Sequence, residues 1–299
     1  MDAYDKDQVK HIAPPYEKET VFPGGARADE IAVFAGGLID TMNDHHFEGA
    51  YAYTDELVQS KVEGGQYARC ERWKMGSCSI GNKAIFMGGE TSETGLVDDV
   101  CVFDGDFSIV LPDNLSERKT DVAVTPVGGY ALCIGGTNYY RSGTTRCTNL
   151  VEYYDADLTR GQATQLPVNC NGVAGTFGNK AVFVTNRITG SLEAPYGEKA
   201  VFAYDDDLTQ TVVTQPFPDE YNFYGSPMEL GDNLFFVVTQ DSVLSNFMQL
   251  EYKTYNSDLT LETPEITGPA SENTYKFSGQ AKLEDLLFYA PGVDVYTLE

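Results

Sequence analysis

The chain has 299 residues, of which 42% are apolar, and its 45 acidic and 20 basic side chains leave a formal charge of -25. This composition is that of a globular protein with one large core or two small ones. The charge opposes binding to nucleic acid and to anionic lipid, and no apolar run is long enough to span a bilayer, so we expect neither a nucleic-acid partner nor membrane insertion.

The segment from Met1 to Lys10 is polar and lacks the apolar stretch of a signal peptide. Two locations therefore stay open: the cell surface or a virion, if an export signal or an assembly partner lies outside this chain, and otherwise the cytoplasm.

A motif made of an aromatic residue, an acidic turn and a Leu-Thr pair recurs along the chain. It reads YDADLT at 154–159, YDDDLT at 204–209 and YNSDLT at 255–260. Weaker copies begin at Tyr4, Tyr53 and Phe103, so successive copies lie 49 to 51 residues apart. A period near fifty that fills the chain predicts one domain, residues 1–299, made of six copies of one structural unit.

Each unit also contains a short apolar run, and several of these runs follow a tight-turn signal such as Gly81-Asn82 or Gly128-Gly129. Because the runs are rich in β-branched and aromatic residues, they predict strands, and their unbroken apolarity predicts that both faces are covered. They occupy 30–37, 82–89, 129–136, 179–186, 233–240 and 285–292.

The order predicted for each unit is a mixed strand, a tight turn, the buried strand, a variable loop, a strand that ends in the aromatic residue, the acidic turn and an outer polar strand. One such meander cannot cover its own central strand. We therefore predict an all-β fold, a six-bladed β-propeller of four-stranded antiparallel blades whose ring is closed by strands from both termini. An open sandwich or a solenoid of four-stranded units is the alternative.

Double glycines close the buried strand in three units, at Gly36-Gly37, Gly88-Gly89 and Gly135-Gly136. Together with the period, they resemble Kelch-repeat β-propellers, and GNKAIFMGG (81–89) and FAYDDDLT (202–209) resemble the repeats of Kelch-like proteins of Gram-positive bacteria and their prophages. The resemblance implies the propeller fold and transfers no catalytic residue. Since the last three units replace the glycine pair, for example by Thr185-Asn186, we expect them to pack differently.

The aspartates of the acidic turn are expected to accept hydrogen bonds from their own backbone, and the following leucine to return to the apolar layer. Calcium binding is the weaker alternative, because no copy has the oxygen-ligand pattern of a dedicated calcium loop.

Two closures of the last unit fit the sequence. In the first, the C-terminal segment 293–299 supplies the third strand and residues 8–15 the outer strand. In the second, the N-terminal copy around Tyr4 supplies the third strand. The first is slightly preferred, although the fifty-residue spacing favours the second.

Because strands alternate in direction, the tight turns lie at one end of each unit and the longer connections at the other, where function is expected. The connection at 137–149 offers aromatic rings and cations in an otherwise acidic protein, and 186–199 adds the same residue types. These are typical of a glycan site or a protein hot spot. The candidate ligand-binding residues are Asn138, Tyr139, Tyr140, Arg141, Arg146, Arg187 and Tyr196. Alternatively, the tyrosines cover a neighbouring blade and the arginines pair with the protein's own carboxylates.

Other chemistry is sparse. The chain has no nucleophile elbow or phosphate-binding loop, and His45 and His46 fit a solvated loop better than a metal site, so no catalytic residue, metal or cofactor is predicted. All six cysteines are expected to be reduced, with Cys147 and Cys170 the one pair that could bond.

The favoured function is therefore a non-catalytic binding module for a protein or a glycan, and the prophage resemblance implies attachment to a host surface or a tail. The alternatives are a sugar-acting Kelch enzyme, similar to a sialic acid mutarotase, and a purely structural part of an assembly.

Overall fold

The structure is a computed structural model that describes residues 2–4, 10–12, 24–40, 45–46, 49–56, 58–62, 70–139, 145–188, 199–213, 217, 221–223, 227–230, 233–240, 250–262, 278–283 and 286–290. These residues form strands, turns and connections without an α-helix. The prediction of an all-β fold is confirmed. No helix that could cross a membrane occurs among the residues described.

The strands follow one another at short intervals. The first fourteen are β1 (Asp2–Tyr4), β2 (Lys10–Ile12), β3 (Gly24–Ala28), β4 (Ile31–Ala35), β5 (Leu38–Asp40), β6 (His45–His46), β7 (Ala50–Tyr53), β8 (Gln59–Val62), β9 (Gly76–Ile80), β10 (Lys83–Met87), β11 (Glu90–Thr91), β12 (Gly95–Leu96), β13 (Val100–Phe103) and β14 (Ile109–Val110). The next ten are β15 (Ala123–Val127), β16 (Tyr130–Ile134), β17 (Thr137–Tyr139), β18 (Thr145–Cys147), β19 (Val151–Tyr154), β20 (Arg160–Gln162), β21 (Cys170–Phe177), β22 (Lys180–Ile188), β23 (Val201–Tyr204) and β24 (Gln210–Val212). The last are β25 (Tyr221–Phe223), β26 (Met228–Leu230), β27 (Asn233–Gln240), β28 (Leu250–Asn256), β29 (Leu261–Glu262), β30 (Ser278–Leu283) and β31 (Leu286–Ala290).

These strands build antiparallel sheets that share one order, namely first, second, third and outer strand. We number them sheet 1 (β3-β4-β7-β8), sheet 2 (β9-β10-β13-β14), sheet 3 (β15-β16-β19-β20), sheet 4 (β21-β22-β23-β24), sheet 5 (β25 and β26 on β27, then β28-β29) and sheet 6 (β30-β31-β1-β2). The predicted four-stranded meander is confirmed.

The chain divides into two compact units. The first, made of Met1–Val122, Tyr154–Gly161 and Tyr275–Val295, holds sheets 6, 1 and 2. The second, made of Ala123–Tyr153, Gln162–Thr274 and Tyr296–Glu299, holds sheets 4 and 5 and most of sheet 3.

In the first unit, the first strand of sheet 1 lies beside the first strands of sheets 6 and 2. Along one edge of β3, backbone N–H and carbonyl groups have no partner within sheet 1, and serine hydroxyls of sheet 2 form hydrogen bonds with them. The Gly25 N–H donates to Ser77 Oγ (3.1 Å), Ser77 Oγ donates back to the Gly25 carbonyl (2.8 Å), and the Arg27 N–H donates to Ser79 Oγ (2.7 Å). Backbone groups at the edge of one sheet are therefore hydrogen-bonded to side chains of the next sheet, about one repeat further along the chain.

The same arrangement recurs in the second unit, between sheets 3 and 4. The hydroxyls of Thr125 and Thr176 lie 2.9 Å apart, and Thr176 also donates to the Pro126 carbonyl. Pro126 lies in a first strand, at a sheet edge, which is where a residue without an N–H is tolerated.

Apolar layers between neighbouring sheets cover the second strands on both faces. In sheet 4, Phe183 belongs to the layer shared with sheet 3, whereas Val182 and Val184 belong to the layer shared with sheet 5. All three side chains are fully buried. The unbroken apolarity of the predicted strands is explained by this two-sided coverage.

Sheet 6 corrects the preferred closure. Its third strand is the N-terminal β1, with Tyr4 opposite Leu287, and β2 is the outer strand. The same register occurs in other sheets, where Tyr53 lies opposite Ala32, Tyr204 opposite Ala181 and Tyr255 opposite Leu234. The preference for segment 293–299 as third strand was wrong, because the fifty-residue spacing fixes the register of the aromatic residue.

The acidic turns join third and outer strands, and their aspartates act as backbone acceptors, as predicted. Oδ1 of Asp155 accepts from the N–H groups of Asp157 (3.0 Å) and Thr159 (2.8 Å). In the next copy Asp207 accepts from the Thr209 N–H at 2.9 Å, and this bond lowers the pKa of the exposed Asp207 carboxyl. The carboxylates therefore hold the turn closed.

The leucine of the motif adopts a left-handed backbone, with φ of 63° at Leu158, 65° at Leu208 and 55° at Leu259. This conformation costs a non-glycine residue about 1 kcal/mol. Leu208 and Leu259 pack against the apolar layers of their unit, which offsets the cost and confirms the predicted return to the core.

At two of the acidic turns, the tyrosine that precedes the turn bonds the connection that enters its sheet. In sheet 4, the Tyr204 hydroxyl donates to the Thr164 carbonyl (3.0 Å), while Gln210 donates to the Tyr204 hydroxyl and to the Gln165 carbonyl (3.4 Å). In the first unit, Tyr154 donates in the same way to the Asp113 carbonyl (2.7 Å).

We expect Tyr204→Phe to lower the free energy of unfolding by about 1 to 2 kcal/mol, since it removes a buried hydroxyl that donates to the Thr164 carbonyl and accepts from the Gln210 amide. Chemical denaturation measures the change. Tyr130→Phe is the matched control, because it removes a hydroxyl from a half-buried tyrosine of the same unit and should change stability by less than about 0.5 kcal/mol. Equal losses in both variants would contradict the role of Tyr204.

Two cysteines are joined, contrary to the sequence prediction. Cys70 and Cys101 form a disulfide with a Cα–Cα distance of 6.2 Å, and both are buried. The pairing was missed because the connection into sheet 2 returns Cys70 to the third strand of that sheet, 31 residues away. Cys78, Cys133, Cys147 and Cys170 are buried and form no disulfide, so the expected reduced state is confirmed for these four.

Candidate functional site

The two ends of each sheet differ, as the strand order predicts. The tight turns between first and second strands and the acidic turns lie at one end, which we call the tight-turn end. The opposite end, where second strands finish and first strands begin, carries the longer connections, and we call it the long-loop end.

At the long-loop end, three of the connections form two-stranded ribbons that the sequence did not predict. They are β5–β6 after sheet 1's second strand, β11–β12 in sheet 2 and β17–β18 in sheet 3. His45 and His46 form one arm of the first ribbon, so their assignment to a loop was wrong.

The double glycines create the root of each ribbon. In sheet 3, Gly135 and Gly136 have φ of 59° and 114°, a region that favours glycine. A Cβ on Gly135 would lie 2.4 Å from the Cys170 carbonyl oxygen, and the Gly136 N–H donates to that oxygen at 3.1 Å. The pair therefore turns the chain out of the sheet and fastens it to the connection that enters the next sheet.

The β17–β18 ribbon contains the densest set of predicted site residues. Asn138 lies opposite Arg146, and Tyr139 lies opposite Thr145. The Arg146 side chain is exposed. At the base of the ribbon, Asn171 Nδ2 donates to Thr137 Oγ1 at 3.1 Å.

In sheet 4, the residues that the structure describes up to 188 and from 199 onward form no ribbon at this end. The first two strands of this sheet, β21 and β22, are 8 and 9 residues long and continue past the position where the other sheets have glycines. The expectation that this unit packs differently is confirmed. Arg187 lies opposite Asn171 in this extension, and Lys199 Nζ donates to Asn186 Oδ1 at 3.3 Å.

The structure thus brings four of the seven predicted residues, Asn138, Tyr139, Arg146 and Arg187, to one end of the second unit. The others, Tyr140, Arg141 and Tyr196, lie outside the described residues. Sequence reasoning missed Thr137, Asn171, Asn186 and Lys199, because small amides and a single lysine in mixed strands give no signal until the strands are paired.

Two cysteines that form no disulfide lie at the root of the β17–β18 ribbon. Cys147 and Cys170 are both buried, and the Cys170 N–H donates to the carbonyl of Thr148 at 3.1 Å. Burial, with a smaller contribution from Cys147, raises the pKa of the Cys170 thiol to about 12. The Cys170 thiol is therefore protonated at neutral pH, which is typical of a structural cysteine.

In the part of the chain that the structure describes, no group of three or more His, Cys, Asp or Glu side chains is arranged to hold a metal ion. Comparison of the chain with known protein families and with curated proteins finds no match.

Proposed function

We propose that this chain is a non-catalytic binding module, built as a six-bladed β-propeller of the Kelch type, that presents its long-loop end to a glycan or a protein. The observation that carries the proposal is the contrast between the repeated sheets and their ends. Each sheet has the same strand order, whereas the long connections differ from one sheet to the next in length and residue type, and three of them contain ribbons in the part of the chain that the structure describes.

The propeller is supported by the contacts within each unit. First strands of neighbouring sheets lie side by side, and hydroxyls bridge them at separations of 50 to 52 residues, which is one repeat. In addition, the N-terminal β1 completes the sheet that the C-terminal β30 and β31 begin. Six such sheets around one axis would give each second strand two covered faces.

The binding site is proposed at the β17–β18 ribbon because this ribbon is held rigidly at its root and carries polar and aromatic residues. The Gly136 N–H and the Asn171 side chain fasten it to sheet 4. A fixed platform lowers the entropic cost of ordering a site when a ligand binds.

The test is a glycan array, followed by binding measurements on the best glycan with the full chain and two double variants. Tyr140→Ala/Arg141→Ala alters the two residues that follow Tyr139 in the connection of the β17–β18 ribbon and should weaken binding at least tenfold, or about 1.4 kcal/mol. Ser92→Ala/Glu93→Ala alters the matching connection of the β11–β12 ribbon and should leave binding unchanged.

Absence of binding on the array, together with no saturable binding to purified host-surface proteins, would overturn the proposed function. Equal weakening by both double variants would show that the site lies elsewhere on the chain.

A further inference from the structure

The Met75 side chain lies at the long-loop end of the first unit, in the connection that enters sheet 2. Met75 directly precedes β9, and its side chain is only partly buried against the apolar layer between sheets 1 and 2. Met87, the other methionine whose side chain the structure describes, is fully buried in the second strand of sheet 2. The two thioethers therefore differ in their access to solvent.

Three glycines form the surface on which the Met75 side chain lies. A Cβ atom placed on Gly89 would lie 3.2 Å from Met75 Cβ, one on Gly24 would lie 3.3 Å from Cγ, and one on Gly36 would lie 2.5 Å from Cε. The thioether sulfur, Sδ, is bonded to Cγ and Cε, so it lies between the contacts with Gly24 and Gly36. The side chain thus crosses backbone that belongs to both sheets.

The space around these glycines is occupied by other groups. The Phe86 ring lies 2.7 Å from a Cβ placed on Gly24, and the carbonyl oxygens of Arg72 and Cys70 lie 2.1 Å and 2.8 Å from a Cβ placed on Gly36. Glycine is therefore needed at both positions for the two sheets to pack this closely. In an interior of this density an added atom displaces its neighbours.

The backbone beside Met75 anchors two of the ribbons. Gly37 leads from sheet 1 into the β5–β6 ribbon, and its N–H donates to the Arg72 carbonyl at 3.0 Å. Gly89 leads from sheet 2 into the β11–β12 ribbon, and its N–H donates to the Lys119 carbonyl at 2.8 Å. A change in the size or polarity of the Met75 side chain therefore acts on the roots of both ribbons.

We propose that Met75 is an oxidative modification site, at which a peroxide loosens the roots of the β5–β6 and β11–β12 ribbons. In this step a lone pair of the sulfur attacks one oxygen of hydrogen peroxide and the O–O bond breaks. The sulfur is oxidised to the sulfoxide, and the peroxide is reduced to water. The inference goes beyond the proposed function and does not depend on it, because the glycan site is proposed at a ribbon of the second unit.

The sulfoxide oxygen has no hydrogen-bond donor to receive it on this surface. The N–H groups of Gly36, Gly37 and Gly89 already donate to the carbonyls of Gly49, Arg72 and Lys119. A strongly polar oxygen that is buried without a donor is unfavourable, so the oxidised side chain should turn toward solvent and leave its place between the sheets.

The experiment treats the folded full chain with a graded series of hydrogen peroxide concentrations and maps oxidation by mass spectrometry of its peptides. Because oxidation follows exposure, Met75 should reach half-oxidation at about a tenfold lower peroxide concentration than Met87. Hydrogen exchange at the amides of Gly37 and Gly89 should become about tenfold faster in the oxidised chain, since both hydrogen bonds open more often. Methionine sulfoxide reductases specific for the two epimers should restore slow exchange.

Substitutions of the two methionines test the site itself. Met75→Leu keeps an apolar side chain of similar volume without sulfur, so peroxide should leave exchange at Gly37 unchanged in this variant. Met87→Leu is the matched control and should retain the full effect of peroxide. Met75→Gln introduces a polar side chain at the same place and should show the faster exchange without peroxide.

Each contrary outcome removes a defined part of the inference. Equal oxidation of Met75 and Met87 in the folded chain would overturn the selectivity. Complete oxidation of Met75 with unchanged exchange at Gly37 and Gly89 would overturn the effect on the ribbons. A peroxide effect that persists in Met75→Leu would place the sensitive residue elsewhere, and this comparison decides the matter even where Met75→Gln does not fold. None of these measurements uses a glycan, so their failure leaves the proposed function standing.

Discussion

Reduction of the disulfide between Cys70 and Cys101 lowers the free energy of unfolding by about 3 to 4 kcal/mol. The bond closes a loop with a sequence separation of 31, and in the chain-entropy description a loop of this size restricts the unfolded ensemble by that amount. Urea unfolding with and without dithiothreitol measures the difference. The buried Arg72 should hold the native segment in place after reduction, because its guanidinium donates to the carbonyls of Asp99 (2.8 Å) and Phe86 (3.0 Å). The loss then reflects the greater freedom of the unfolded chain.

The matched variants separate the bond from general effects of reductant. Cys70→Ala/Cys101→Ala should be less stable than the unaltered chain and insensitive to dithiothreitol, whereas Cys147→Ala/Cys170→Ala should keep the sensitivity, since those two thiols are free. Peptide mapping without reductant should recover Cys70 and Cys101 in one linked product. Six titratable thiols in the unfolded, unreduced chain would contradict the disulfide.

Gly36→Ala is expected to lower the free energy of unfolding by about 4 kcal/mol or to prevent folding. Gly36 has a φ of 62°, and a Cβ there would lie 2.1 Å from the Arg72 carbonyl oxygen and 2.8 Å from the Cys70 carbonyl oxygen. Both obstacles are backbone atoms, so the neighbouring connection must move and its hydrogen bond to the Gly37 N–H is lost.

Gly81→Ala measures the cost of the left-handed backbone alone, without a steric clash. Gly81 has a similar φ of 54°, but a Cβ there meets nothing within 4 Å. This variant should therefore cost only about 1 kcal/mol, the penalty of a left-handed alanine. Thermal unfolding of the two variants provides the comparison, and similar melting temperatures would show that the close approach of Arg72 to Gly36 is unimportant.

The repeat and its central strands could be predicted from the sequence because their causes are local. An apolar run such as 82–89 contains its own strand propensity and its own bounding turn, and β10 (Lys83–Met87) lies inside it. The acidic turns were predictable for the same reason, since Asp155 bonds amides within four residues of itself.

The ribbons could not be predicted from the sequence, because the contacts that orient them join residues far apart in the chain. A ribbon such as β17–β18 has three residues in each arm and no apolar alternation. Its direction is set by Gly135 and Gly136, and its root by a carbonyl of Cys170, which is more than thirty residues further along the chain. The sequence shows that the double glycine recurs with the repeat. Its role, which is to let the chain pass close to the Cys170 carbonyl and bond it, follows only from the three-dimensional structure.

In the candidate site, too, residues from one local cluster were predictable, whereas residues brought in by strand pairing were not. Arg146 and Asn138 were predicted because aromatic and basic residues cluster in one variable connection. Asn171 and Lys199 were not, since each belongs to a different strand or connection and reaches the site only through pairing of β21 with β22 and through the bond to Asn186.

The pairing of β1 with β31 has a consequence for synthesis of the protein on the ribosome. Sheet 6 needs Tyr4 and its neighbours at one end of the chain and the strands that begin at Ser278 at the other. The nascent β1 must therefore wait, without its partner strands, until β30 and β31 have been synthesised, while the other sheets assemble from segments that emerge together. Pairing of β1 with β31 is therefore a late step in the folding of sheet 6.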